Sequence, residues 1–289
     1  MTQAITVQQR PSASRRMSNT PGCTPEQIKF YEENGYLGPL TLCAPEEMAE
    51  FREWFDAEDF LARPSPLYGP GPGGRKILRD WHLVYSRMEW LCTHPEVAAT
   101  MASLMGPDLL LWRSQLQLKD AGGGPVAWHQ DLGFPGHLLL PALSPAKNIS
   151  AWIAIDHANL ENGCVRVIPG THKSRIERRF ITVGENEKGL FGRRYKVEYV
   201  VDTRNAVPMV LEPGQYFLFS ESTVHGSTHN PTDGRRMGVS LRVTTPEVKV
   251  YEGQSRDGQG LSLDKWGCLL MSGEDRFGHN KVIEPQFIG

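Results

Sequence analysis

The spacing of apolar residues changes partway along this chain. In "TPEQIKFYEENG" Thr24 precedes Pro25, apolar Ile28 and Phe30/Tyr31 recur at helical spacing, and Gly35 ends the pattern, predicting a short capped helix. "APEEMAEFREWF" and "HPEVAATMASLMG" follow the same grammar, the second with Pro95 inside its start and Gly106 past its end. Between them "RPSPLYGPGPGGRK" is too rich in proline and glycine for regular structure and reads as a loop, a candidate lid. From about Asp108 the period falls from 3.6 to 2. "LLLWRSQLQLK", "NISAWIAID", "CVRVIP", "YKVEYVVD", "QYFLFS" and "RRMGVSLRV" are strand-like runs separated by the turn signals "AGGGP", "ENG", "EPG" and "NPTDG".

Many short strands without intervening helices predict an antiparallel sandwich or barrel. The expected organisation is one domain over 23–289: a helical buttress over about 23–107, a barrel core over about 108–250 and a C-terminal extension over 251–289. Residues 1–22 are polar and rich in Ser, with Arg10, Arg15 and Arg16 and no acid in the first twenty; they read as a disordered tail without a secretory apolar core.

Composition narrows the partners. With 289 residues and 39% hydrophobic content the chain can bury a sizeable core, and 31 basic against 33 acidic side chains leave a net charge of -2. That balance supplies no field to draw nucleic acid or an anionic membrane, so a small molecule is the expected partner. No apolar run approaches the roughly 20 residues of a membrane span. Cys23, Cys43, Cys92, Cys164 and Cys268 are scattered without a C-x-x-C pair, which fits a reduced, cytoplasmic protein.

The stretch "AWHQDLGF" carries the first chemical signal. On a strand or its fraying end, residues two apart share a face, so His129 and Asp131 project together. Two histidines and one carboxylate on one face of an iron ion leave three positions open for a chelating cosubstrate and dioxygen. Among nine histidines, His225 in "FSESTVHGSTHNPTDGRRMGVSLRV" is best placed, expected to end a strand that leads into a turn. On the returning strand Met237, Val239, Leu241 and Val243 form an apolar face, and Arg236, Gly238, Ser240 and Arg242 form the other. An arginine in a barrel mouth needs a partner, and its planar fork suits a carboxylate. Arg236, eleven residues after His225 and expected on the neighbouring strand, could hold a diacid cosubstrate.

"WHQD", the distal "HGSTHN" and "RRMGVSLR", and "ENGCVRVIPGTH" together resemble the phytanoyl-CoA dioxygenase-like branch of the iron(II)/2-oxoglutarate oxygenases, over roughly residues 24 to 250. The resemblance implies a double-stranded β-helix, a jelly-roll or cupin-like barrel. It implies that His129, Asp131 and His225 bind iron(II) and that Arg236 binds the distal carboxylate of 2-oxoglutarate. Trp152 matches a position bordering the cosubstrate, and Ser227 and Gln117 match cosubstrate hydrogen-bond donors. The implied reaction consumes dioxygen and 2-oxoglutarate and releases succinate and carbon dioxide.

The C-terminal "DKWGCLLMSGEDRFGHNKV" is similar to halogenases of the same superfamily that act on carrier-bound amino acids. Those enzymes replace the ligand carboxylate by Ala or Gly. This chain keeps Asp131, so hydroxylation of an aliphatic C–H bond in specialised or amino-acid-derived metabolism is expected, on a free or carrier-tethered substrate. Gln115, Phe134, His137 and Arg242 are candidate substrate contacts. A non-oxidative cupin-like metalloenzyme and a binding protein without turnover are the alternatives from other classes, and a halogenase is the alternative within the class.

Overall fold

The helices take their starts, stops and buried faces from different sequence signals. The computed structural model describes residues 20–58, 62–71, 76–131, 143–144, 147–174, 176–182, 195–257 and 260–288. In α1 (Pro25–Asn34) the Thr24 hydroxyl accepts from the Gln27 amide at 3.3 Å and the Gln27 side chain accepts from the Thr24 amide at 2.9 Å. Gly35 ends α1 in the left-handed region at φ 77°. α2 (Pro45–Glu58) buries Met48, Phe51 and Phe55 at helical spacing. α3 (Ser86–Cys92) and α4 (Pro95–Met105) complete the buttress.

The strands are β1 (Tyr36–Thr41), β2 (Leu109–Lys119), β3 (Val126–His129), β4 (Leu143–Ser144), β5 (Ile149–Ala154), β6 (Val165–Val167) and β7 (Arg178–Thr182). They continue with β8 (Tyr195–Tyr199), β9 (Val207–Pro208), β10 (Gln215–Ser220), β11 (His225–Ser227), β12 (Arg236–Thr244), β13 (Lys249–Val250) and β14 (Leu269–Ser272). A six-stranded antiparallel sheet runs β1-β10-β5-β12-β2-β14, and a four-stranded one runs β3-β11-β6-β9. Trp152, Phe217 and Phe219 of the first pack with Val167 and Cys164 of the second. This is the cupin-like double-stranded β-helix.

Both faces of β12 are buried. Met237, Val239, Leu241 and Val243 join a core with helix residues such as Met48, Phe51 and Val97, each burial contributing roughly 1.5–3 kcal/mol. Arg236, Gly238, Ser240 and Arg242 have the opposite parity and turn between the sheets. The C-terminal segment packs Tyr251, Trp266 and Cys268 against Leu110 and Trp112. A buried ion network clasps it there: Arg79 bonds Asp257, and Arg113 lies 3.7 Å from Asp257 and 3.9 Å from Asp80.

One local expectation is corrected. His225 opens β11 in the four-stranded sheet rather than ending a strand, and Arg236 opens β12 in the other sheet rather than on a neighbouring strand. After β10 the chain turns through residues 221–224 and crosses between sheets, so His225 and Arg236 face the interior from opposite walls.

Candidate metal centre

β11 pairs antiparallel with β3 so that His225 lies directly opposite His129, and the ring centroids are 4.2 Å apart. β3 ends at His129, and Asp131 sits in the bend beyond it. Gln130 fixes that bend: it is buried, and its amide donates to Ser222 O at 2.6 Å and to Thr171 O and Ser174 O at 3.3 Å. Asp131 thereby turns inward, with Oδ1 at 3.8 Å from His129 Nε2 and 4.0 Å from His225 Nε2.

The trio fits a metal ion by its chemistry. Nδ1 of His129 lies 2.8 Å from Ala127 O, and Nδ1 of His225 lies 3.0 Å from Thr223 O. A carbonyl only accepts, so each Nδ1 carries the proton and each neutral Nε2 presents a lone pair to the cluster. Both Asp131 oxygens are buried without a hydrogen bond among the described residues. One ligand atom from each residue lies within 4.8 Å of the others, and no other trio of His, Cys, Asp or Glu converges in this way among the described residues. Ligands about 2.1 Å from an ion stand at most about 4.2 Å apart, so a small inward shift closes the site.

Electrostatics keep Asp131 and His225 in ligating form. Burial would raise the Asp131 carboxyl, but Arg242, with Nη2 at 3.6 Å, together with His225 and His129 holds it below its ordinary value. Burial, aided by His129, pushes His225 down to about 4, so its ring is neutral near pH 7.

A second polar cluster lies beside the metal trio on the inner walls. Arg236, 3% exposed, donates to Gly163 O at 3.1 Å and to Gln117 O at 3.4 Å, and its guanidinium lies over the Trp152 ring at 5.1 Å. Its Nε has no hydrogen-bond partner, and burial pushes it down to about 10. Lys119 is directly opposite Arg236 in the β2–β12 register. Its ammonium donates to Ser227 Oγ at 2.8 Å and to Thr228 O, and burial together with Arg236 lowers it to about 8. Gly238 leaves room for Trp152: a Cβ there would lie 2.3 Å from the indole. Two neighbouring buried cations form a cradle for an anion.

The remaining predicted contacts divide. Gln115 and Gln117 stand opposite Ser240 and Gly238, and Gln117 Nε2 donates to Ser240 Oγ at 3.3 Å. Ser227 Oγ accepts from Lys119, which leaves its hydroxyl proton available to donate. Arg242 is beside Asp131, with Nε and Nη1 unpartnered. Phe134 and His137 lie outside the described residues, as do positions 72–75 of the candidate lid loop. Sequence reasoning missed Gln130, Lys119 and Glu221. Glu221 is 5% exposed, and burial, with the Asp131 charge, pushes it up to about 8.

A cupin-like barrel with an inward His/Asp/His trio and an adjacent cationic cradle defines a non-haem metalloenzyme of the anion-chelating type. The family model described as Phytanoyl-CoA dioxygenase (PhyH) matches residues 31–238. The chain belongs to this family of iron(II)- and 2-oxoglutarate-dependent oxygenases, which also use dioxygen. Human peroxisomal phytanoyl-CoA dioxygenase is 26% identical over 254 residues, covering 79% of this chain and 70% of that protein. Methylphosphonate hydroxylase from Gimesia maris is 27% identical, covering 75% of this chain and 79% of the relative. Among solved structures, CytC3 with Fe(II) and alpha-ketoglutarate superposes with a TM-score of 0.71 at 29% identity, covering 91% of this chain and 94% of the other.

Proposed function

We propose that this oxygenase hydroxylates an aliphatic C–H bond of a small organic molecule, with 2-oxoglutarate converted to succinate and carbon dioxide. The observation that carries the reading is the pairing of an inward His129, Asp131 and His225 trio with the unpaired buried cation Arg236. In this reading the trio holds iron(II). Arg236 grips the distal carboxylate of 2-oxoglutarate, with Lys119 beside it and Trp152 as the wall. Gln117 and Ser227 complete the hydrogen bonding around that end, and Gln115 and Arg242 face the substrate.

Bound iron(II) supplies the redox chemistry by which dioxygen and the keto acid are consumed. The chain's own work is positional. The Ala127 and Thr223 carbonyls fix the imidazole tautomers. Asp131 stays ionised beside Arg242. Phe219, 4.6 Å from the His225 ring, and Trp152 form apolar walls that keep bulk water from the reacting groups. The hydroxylase named among the relatives supports hydroxylation as the outcome.

Anaerobic addition of iron(II) and 2-oxoglutarate tests the reading. A metal-to-ligand charge-transfer absorption band is expected, and it should vanish in His129→Ala and His225→Ala. A native protein that binds neither, and forms no succinate on admission of oxygen, overturns it.

A further inference from the structure

Two more charged groups reach the same interior and are left unused by the iron and cosubstrate roles. Among the described residues Arg242, 6% exposed, has no hydrogen-bond partner for its Nε and Nη1. Glu221 is 5% exposed; its amide donates to Asn148 O at 3.3 Å, and its Oε2 has no hydrogen-bond partner among the described residues. Arg242 also forms an ion pair with Asp131 at 3.6 Å.

Sheet register places them relative to each other. Phe219 of β10 and Arg242 of β12 both pair with Ser150 of the intervening β5. Glu221 lies two residues beyond Phe219 and so continues its parity, toward the interior where Phe219 meets His225. At about 4.8 Å per strand and 3.3 Å per residue, the two backbones stand roughly 12 Å apart. Among the described residues Glu221 and Arg242 form no ion pair with each other within 4 Å, although each is buried and keeps a polar atom without a hydrogen bond. A polar group kept buried without a partner is accounted for when a ligand supplies one.

We propose that Glu221 and Arg242 form a substrate clamp beside Asp131 for a small amino acid, Glu221 taking its ammonium and Arg242 its carboxylate. The inference rests on the oxygenase reading above and specifies its substrate class. A molecule with one charge alone would leave the other buried group unsatisfied.

The test is calorimetric titration of the protein, loaded anaerobically with iron(II) and 2-oxoglutarate, with the twenty proteinogenic L-amino acids and their N-acetyl and primary-amide forms. At least one free amino acid should bind about tenfold or more tighter than both of its blocked forms, the scale of a lost charged hydrogen bond. Glu221→Gln should erase the discrimination against the N-acetyl form, and Arg242→Gln that against the amide. If a variant fails to fold, the native ratios decide alone. Absence of binding across the panel, or equal affinity for free and blocked forms, overturns the clamp. A charge-transfer band without amino-acid binding defeats this inference and leaves the oxygenase reading standing; amino-acid binding without the band does the reverse.

Discussion

Replacing Arg236 by methionine should separate stability from cosubstrate affinity. Arg236 is 3% exposed, and burial depresses it to about 10, with Cys164 and Asp156 offsetting only part of the loss of hydration. A drop of that size means the charged form carries a cost on the order of 3 kcal/mol at any pH below about 10. Methionine removes this cost. It also leaves Gly163 O and Gln117 O without their donor, about 1–3 kcal/mol each, and loses the contact over Trp152. The two sides nearly cancel, so ligand-free stability should change by less than about 3 kcal/mol, against about 2–5 kcal/mol for ordinary large-to-small core changes.

Affinity should not cancel. At a hundredfold excess over its dissociation constant, 2-oxoglutarate stabilises the native protein by about 2.7 kcal/mol. In a domain of this size that raises Tm by about 5–10 °C. Removing one partner of a buried charge pair weakens binding by about 2–5 kcal/mol, so the same concentration should shift the variant by about 3 °C or less. Anaerobic scanning fluorimetry with iron(II), with and without 2-oxoglutarate, reads both quantities. A variant that unfolds at room temperature, or one that keeps the full cosubstrate shift, would make Arg236 a structural pillar and refute the reasoning.

Gly238→Ala should push Trp152 off its position, because the new Cβ would lie 2.3 Å from the indole and 2.7 Å from Ile153 O. A loss of about 1–3 kcal/mol in chemical denaturation, with weaker 2-oxoglutarate binding, is expected. Lys119→Met should weaken 2-oxoglutarate about tenfold in a titration of the charge-transfer band, with a smaller loss in Lys119→Arg. Asp131→Ala should abolish tight iron(II) retention, measured by metal analysis after anaerobic dialysis. His82 is buried, with Nδ1 2.7 Å from Ser114 Oγ, and burial pushes it down to about 4. It is neutral in the folded chain while the unfolded chain protonates near 6.5, so stability is full above about 6.5 and falls by up to about 3 kcal/mol as pH drops to about 4. His82→Gln should flatten that part of a Tm-against-pH curve.

The parts of the fold that were legible in sequence are those whose residues repeat a period long enough to read. β10 occupies "QYFLFS", and the parity of β12 separates core from interior over nine residues. Gly35 and Gly106 end helices because their backbones take φ of 77° and 96°. β11 has three residues, too few to show a period, so its place in the opposite sheet was hidden. Lys119 at the end of "QLQLK" looks like a solvated strand terminus, and Glu221 between two serines looks like a turn residue. Their burial comes from strands far along the chain. The role of Gln130 depends on carbonyls of residues 171, 174 and 222, which no local pattern announces.

Burial alone does not distinguish a group that awaits a ligand from one that holds the fold, and two arginines of this barrel show what does. Arg113 on β2 is more deeply buried than Arg236. Burial pulls it down as well, yet Tyr251, Asp80, Tyr68 and Asp257 surround it and hold it above its ordinary value. Its neighbours join the C-terminal segment to β2, so its charge is compensated within the chain. Arg236 has two carbonyls and an aromatic face, and burial leaves it below its ordinary value. Asp131, Arg242 and Glu221 share that condition of unpartnered polar atoms, and they share one interior with it. Native chains keep few such atoms. Arg113 and His82 keep such atoms too, but those of Asp131, Glu221, Arg236 and Arg242 gather in one interior, which is why we read it as a ligand site. The outer face of β12 and the helices over it provide the apolar burial that keeps the ligand-free barrel folded meanwhile.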